Sequence, residues 1–151
     1  MDNHFFWQKW LFAVGLLLAA FGLALAFFNQ TPFFDFLFNA QINLVFWPDG
    51  QVTPEAVMFQ QWIYSVLGAT IAGWGICVAL LAYYPFRNRE IWAWNAIVLG
   101  VTVWYVVDTG LSLYFRVIFN VIFNTVLFIA VWLPLAFTRG GLMPLQEGRP
   151  K

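Results

Sequence analysis

The sequence predicts an all-α membrane protein, a four-helix transmembrane bundle with a short interfacial helix in the first outer loop. The chain is 62% hydrophobic and 21% aromatic but only 9% charged, whereas a soluble domain carries about 25% charged residues. Four nearly uncharged stretches are long enough to cross a bilayer, which takes about 20 apolar residues. Tryptophan and tyrosine gather near the ends of these stretches, as they do at membrane–water interfaces. We therefore interpret residues 1–151 as a single integral membrane domain.

The first span is predicted at about residues 10–28 and follows a short aromatic head that contains Lys9. The segment Ala24-Leu25-Ala26 also resembles the cleavage site of a signal peptide. We favour a span that stays in the protein, because the head is aromatic and includes Asp2.

An outer aromatic loop is predicted at residues 29–55, which contain no lysine or arginine but many phenylalanines. Thr31 followed by Pro32 is a good helix start. We therefore predict a short helix over about residues 32–40, lying in the membrane interface. The alternation of apolar and polar residues over 42–46 is a weak strand signal.

The remaining spans are predicted at about residues 56–84, 91–108 and 111–137, followed by a cytoplasmic tail at 138–151. Asp108-Thr109-Gly110 is the expected turn between the last two spans. The second span has a face of small residues, which lets membrane helices approach closely. The members of this face are Gly68, Ala69, Ala72, Gly73, Gly75 and Ala79.

The basic residues indicate the orientation of the bundle. In a four-span chain nearly all of them fall on one side, and Arg116 alone falls on the other. The positive-inside rule then predicts a multi-pass protein of the cell inner membrane with both termini in the cytoplasm. The residues on the basic side are Lys9, Arg87, Arg89, Arg139, Arg149 and Lys151.

Between residues 108 and 124 the sequence is almost wholly apolar, but a polar residue recurs every four positions. These residues are Asp108, Ser112, Arg116, Asn120 and Asn124. In apolar surroundings such groups need partners, so we expect Asp108 and Arg116 to form an ion pair. The candidate ligand-binding residues are Gln61, Asp108, Arg116, Asn120 and Asn124, lining a cleft open to the outer side. The aromatic loop would be its lid, and Arg116 would hold an anionic head group.

Three interpretations of the polar residues between Asp108 and Asn124 stay open. In the first they only join helices by hydrogen bonds, in the second they line a ligand cleft, and in the third they form an ion or proton path. The sequence suggests no catalytic residues and no metal ligands. His4 is the only histidine and Cys77 the only cysteine, so the chain offers poor ligands for haem or zinc. The aromatic excess leaves a lipid, a quinone or a pigment as ligand classes, and a net charge of zero gives no reason to expect nucleic acid as a partner.

The last half of the chain resembles small uncharacterised four-span proteins of bacterial inner membranes. The resemblance lies in the segment from Tyr84 to Trp94, Trp104 with Asp108, the segment from Asn120 to Asn124, and Leu133-Pro134-Leu135. It implies a location and a fold but no activity.

The sequence favours a non-enzymatic membrane protein. The first hypothesis is a small accessory subunit that contacts lipid and joins a larger membrane complex or a homo-oligomer through the aromatic loop and the small-residue face. The alternative is a binder of a lipid, quinone or other amphiphile in the outward-facing cleft. A second alternative is a small ion pathway or membrane enzyme using Asp108 and Arg116.

Overall fold

The computed structural model describes residues 3–142, and all regular secondary structure in that part of the chain is helical. In chain order the helices are α1 (His4–Phe28), α2 (Pro32–Phe34), α3 (Ala40–Phe46), α4 (Pro54–Leu81), α5 (Ile91–Tyr114) and α6 (Ile118–Thr138), with π-helical turns at Asp35–Asn39 and Ala82–Phe86 and a 3-10 turn at Arg139–Gly141. Helices α1, α4, α5 and α6 are each long and apolar enough to cross a membrane. Of the predicted tail at 138–151, residues 143–151 lie outside the described residues.

Residues 29–53, which we call the connector, are helical from Pro32 to Phe46. The predicted short helix therefore continues beyond residue 40, and the strand signal over 42–46 was wrong. A helix satisfies its backbone hydrogen bonds within itself, whereas a lone strand in apolar surroundings has no partner for them.

Helices α1 and α4 run antiparallel, and α1 packs most extensively against α4. A Cβ atom added at Gly22 would lie 2.4 Å from the backbone nitrogen of Ala72, and one at Gly75 would lie 2.4 Å from that of Ala19. Only glycine permits this approach. The small-residue face of α4 is thus covered by α1 at four positions: Gly68, Ala72, Gly75 and Ala79. Ala69 and Gly73 are exposed instead.

The predicted head is part of α1, which begins at His4 and not near residue 10. Two of its side chains are buried against the turn at Ala82–Phe86, which contains Pro85. Gln8 donates to the carbonyl of Ala82 at 3.1 Å, and Nε2 of His4 lies 2.9 Å from the carbonyl of Phe86. These contacts join the start of α1 to the widened last turn after α4.

Pro134 leaves a carbonyl of α6 without its usual partner, because proline has no N–H to offer the residue four positions earlier. That residue is Ala130, and the indole N–H of Trp10 donates to its carbonyl at 2.9 Å. The indole of Trp94 donates to the carbonyl of Leu135 at 2.8 Å. Tryptophans of α1 and α5 therefore bind α6 around its proline.

The predicted turn at 108–110 was wrong, because α5 continues unbroken through these residues to Tyr114. The chain reverses at 115–117, where Arg116 has φ +61°. The amide of Arg116 donates to the carbonyl of Leu113 at 3.1 Å, and that of Val117 donates to the carbonyl of Ser112 at 2.8 Å. These two bonds form a Schellman motif, in which glycine usually occupies the left-handed position.

The bundle is two helix pairs, α1 with α4 and α5 with α6, and α4 and α5 make few contacts with each other. A buried apolar core fills the half of the bundle that contains the start of α1 and the 87–90 turn. Its members include Leu11, Leu18, Val78, Phe86, Ala93, Ile97, Val131 and Leu135. In the other half, which we call the connector half, a partly open cavity lies between the two pairs.

Candidate functional site

The cavity in the connector half has a volume of about 530 Å³ and is bordered by α1, the connector, α4, α5 and α6. Most of its wall is apolar or aromatic. Trp74 of α4 and Trp104 of α5 face each other across the gap between the pairs, with ring centroids 6.3 Å apart. A cavity of this size with a mainly apolar wall and a few polar groups is typical of small-molecule sites.

The connector covers one side of the cavity with aromatic rings. Phe38 packs against Phe21 at 6.0 Å, Phe119 at 5.3 Å and Phe123 at 6.1 Å between ring centroids. Phe46 approaches Phe115 in the α5–α6 turn at 6.3 Å. The connector thus lies over the cavity and against the first half of α6.

A polar patch interrupts the apolar wall where α5 meets α6. The amide nitrogen of Asn120 lies 2.8 Å from Oδ1 of Asp108 and 2.8 Å from the hydroxyl of Ser112. The Ser112 hydroxyl also donates to the backbone carbonyl of Asp108 at 2.7 Å and lies 3.2 Å from Oδ1. The Asp108 carboxylate therefore has a hydrogen-bond donor from α6, the amide of Asn120.

Asn124 lies one turn deeper on α6 and is 2% exposed. Its amide nitrogen donates to the hydroxyl of Thr109 at 3.4 Å. Within residues 3–142 the amide oxygens of Asn120 and Asn124 accept no hydrogen bond. The patch therefore offers acceptors to the cavity, and Asp108 is the one charged side chain among the described residues that border it.

The expected ion pair between Asp108 and Arg116 was wrong. Arg116 sits in the turn itself and is exposed, and its guanidinium makes no hydrogen bond or ion pair within residues 3–142. Because the turn lies seven residues later than predicted, Arg116 is placed beyond the helix ends and not one turn inside α6. It does not border the cavity.

Gln61 does not join this site either, because it borders a separate polar pocket between the connector and the start of α4. Of the five predicted ligand-binding residues, the structure thus brings together Asp108, Asn120 and Asn124. The sequence interpretation did not select Tyr64, Trp74 or Trp104, which also border the cavity. Aromatic residues spread through apolar helices give no signal of which ones face a cavity.

No protein-family model matches the chain, and no match was found among curated proteins or solved structures. The resemblance to small four-span proteins of bacterial inner membranes therefore stays a prediction.

Proposed function

We propose that this protein binds an amphiphilic small molecule, such as a lipid or a quinone, in the cavity of the connector half and acts without catalysis. The observation that carries the proposal is a largely apolar cavity of about 530 Å³ with one polar patch on its wall. The apolar part of the ligand would lie between the two helix pairs, near Trp74 and Trp104. Its polar end would meet Asp108, Asn120 and Asn124.

The charge and hydrogen bonding of the patch favour a polar end that donates hydrogen bonds. Flipping the Asn120 amide would place its oxygen against the Asp108 carboxylate, so its nitrogen stays on the carboxylate and its oxygen stays available. The described residues that border the cavity include no lysine, arginine or histidine. The anionic head group expected from Arg116 is therefore not part of this proposal.

We further propose that the bundle spans the cell inner membrane with both termini in the cytoplasm. The basic residues Arg87, Arg89 and Arg139 lie at the end of the bundle opposite the connector, as the positive-inside rule requires. The connector then faces outward, and the cavity lies in the outer half of the membrane.

A second candidate is the accessory subunit, which is supported by the exposed aromatic surface of the connector. Phe33 and Phe36 are 66% and 74% exposed, and both lie on the side away from the bundle core. Four members of the small-residue face of α4 no longer support this candidate, because α1 covers Gly68, Ala72, Gly75 and Ala79. The ion pathway or enzyme loses its main support, since Asp108 and Arg116 do not meet.

The deciding experiment is gentle extraction followed by mass spectrometry of everything that co-purifies. We compare the native chain with Asn120→Leu, and with Asn95→Leu as the matched control on an exposed face of α5. A small molecule near equimolar ratio in the native chain and the control, but depleted in Asn120→Leu, supports the cavity. Equal amounts in all three overturn it, and stoichiometric protein partners favour the accessory subunit.

A second pair of variants guards against an effect of Asn120→Leu on folding. Leu111→Trp adds bulk to a residue that borders the cavity, whereas Val103→Trp adds it to an exposed residue of the same helix. The proposal requires that the first variant excludes the bound molecule and the second retains it.

A further inference from the structure

A second pocket, of about 380 Å³, lies between the end of α1, the connector and the start of α4. Most of the residues that border it are polar, and several carry side-chain oxygens. The polar residues that border it include Asn29, Asp35, Asn39, Gln60, Gln61 and Tyr64. Of these, only Tyr64 also borders the apolar cavity, so the two sites share one side chain.

Asn29 is 4% exposed, and the N–H groups of its side-chain amide are fully engaged in hydrogen bonds within the protein. Nδ2 donates to the carbonyls of Leu25 at 2.9 Å and Ala26 at 3.3 Å, and to the hydroxyl of Ser65 at 3.1 Å. Flipping the amide would place its oxygen against two carbonyl oxygens, so the orientation is settled. The buried Oδ1 is left without a donor in residues 3–142.

The amide nitrogens of Asn39 and Gln60, which also border the pocket, likewise donate hydrogen bonds within the protein. Nδ2 of Asn39 donates to Oδ1 of Asp35 at 3.1 Å, and Oδ1 of Asn39 is buried without a donor in residues 3–142. Nε2 of Gln60 donates to Oδ1 of Asn43 at 2.7 Å. All three amides thus have their nitrogens engaged within the protein, and their oxygens accept nothing from the described chain.

The described wall of the pocket therefore lacks positive charge, while the amides of Gln30 and Gln61 and the hydroxyl of Tyr64 remain as donors on it. Asp35 adds a carboxylate, and the described wall has no lysine, arginine or histidine. A buried amide oxygen without a donor is costly, so the group that fits here brings several N–H donors and a positive charge. A primary ammonium has three donors and no acceptor. Calcium usually takes six to eight oxygens, often from several carboxylates, and this wall has one carboxylate.

We propose that this pocket binds a primary ammonium group, supplied either by the amino head group of a membrane lipid or by a free amine. The proposal concerns residues other than the polar patch of the cavity. Asn120→Leu is expected to leave ammonium binding intact, and a loss of amine binding is expected to leave the amphiphile in the cavity.

The test titrates the purified full-length chain in detergent with butylamine and follows tryptophan fluorescence and the midpoint of thermal unfolding. Butanol, tetramethylammonium chloride and calcium chloride serve as comparison probes. We expect saturable binding of butylamine alone. Binding that is equal for butylamine and butanol, or no binding at all, overturns the proposal.

The variants locate the site. We expect Asp35→Asn to weaken butylamine binding at least tenfold, while Asp49→Asn, on the connector but away from the pocket, leaves it unchanged. Should Asp35→Asn fail to fold, Gln61→Leu tests the same wall, since the Gln61 side chain itself makes no hydrogen bond within residues 3–142 and its backbone carbonyl still accepts from Ser65. Unchanged affinity in a folded variant at Asp35 contradicts the assignment.

The source of the ammonium is decided by competition. Mixed micelles containing phosphatidylethanolamine are compared with micelles containing its trimethylated analogue, phosphatidylcholine. Displacement of butylamine by the first lipid alone identifies a lipid head group as the source. Displacement by neither, with butylamine still bound, identifies a free amine.

Discussion

The amide nitrogen of Asn120 lies 2.8 Å from Oδ1 of Asp108, and this hydrogen bond joins the first turn of α6 to α5. Both residues border the cavity, so the same contact shapes the site and connects its walls. Helix packing and ligand binding, which were alternatives at the level of sequence, are thus compatible roles for one pair of residues.

We expect Asn120→Ala to lower the free energy of unfolding by about 1–3 kcal/mol, because the Asp108 carboxylate loses a donor in partly buried surroundings. In a double-mutant cycle, Asp108→Asn combined with Asn120→Ala should lose less than the sum of the single variants. Thermal unfolding in detergent measures each variant. Strictly additive effects would contradict the coupling.

Replacing Gly22 with alanine should destabilise the chain by about 2 kcal/mol or more, because overpacking forces α1 and α4 apart. The added Cβ would lie 2.4 Å from the backbone of Ala72. Gly73→Ala is the matched control, since no atom lies within 4 Å of its added Cβ. We expect the control to be neutral or slightly stabilising, and equal effects at both positions would rule out the close approach.

Arg116→Gly should be about 1 kcal/mol more stable than Arg116→Ala, because glycine adopts a left-handed conformation without the cost paid by other residues. Both variants lack the guanidinium, so their difference in unfolding midpoint reports only the backbone at φ +61°. If the alanine variant proves as stable as the glycine variant, the turn does not have this conformation.

Trp10→Phe should cost about 1 kcal/mol in the native background, because the carbonyl of Ala130 loses its donor. In a Pro134→Ala background the cost should shrink, because residue 134 regains an N–H for that carbonyl. The comparison of the two unfolding midpoints provides the internal control. An equal cost in both backgrounds would show that the indole acts only through packing.

The proposed orientation predicts the labelling of two engineered cysteines in intact cells. In a Cys77→Ser background, Asp49→Cys in the connector should react with a membrane-impermeant maleimide. Asn88→Cys, in the turn at the opposite end, should react only after the cells are opened. The reverse pattern would place both termini outside.

Much of the architecture was predictable because it depends on composition and length. Four apolar stretches predicted four helices able to cross a membrane, and small residues spaced along α4 predicted a packing face. The α5–α6 turn was missed because Arg116 occupies a position where glycine is usual, while Asp108-Thr109-Gly110 imitates a turn. The side chains of Ser112 and Asn120 provide polar partners for Asp108 within the folded bundle. The sequence pattern alone does not reveal these contacts.

The sequence by itself determined the helical class, the number of long apolar helices and the concentration of polar groups between Asp108 and Asn124. These properties follow from local composition and from the periodicity of a helix. Only the tertiary structure decided that Gln61 and Arg116 lie apart from the other candidates, that α1 covers the small face of α4, and that a cavity separates the helix pairs. Each of these depends on where a turn falls and on which helices pack together, and a shift of seven residues at one turn is enough to move a side chain out of the site.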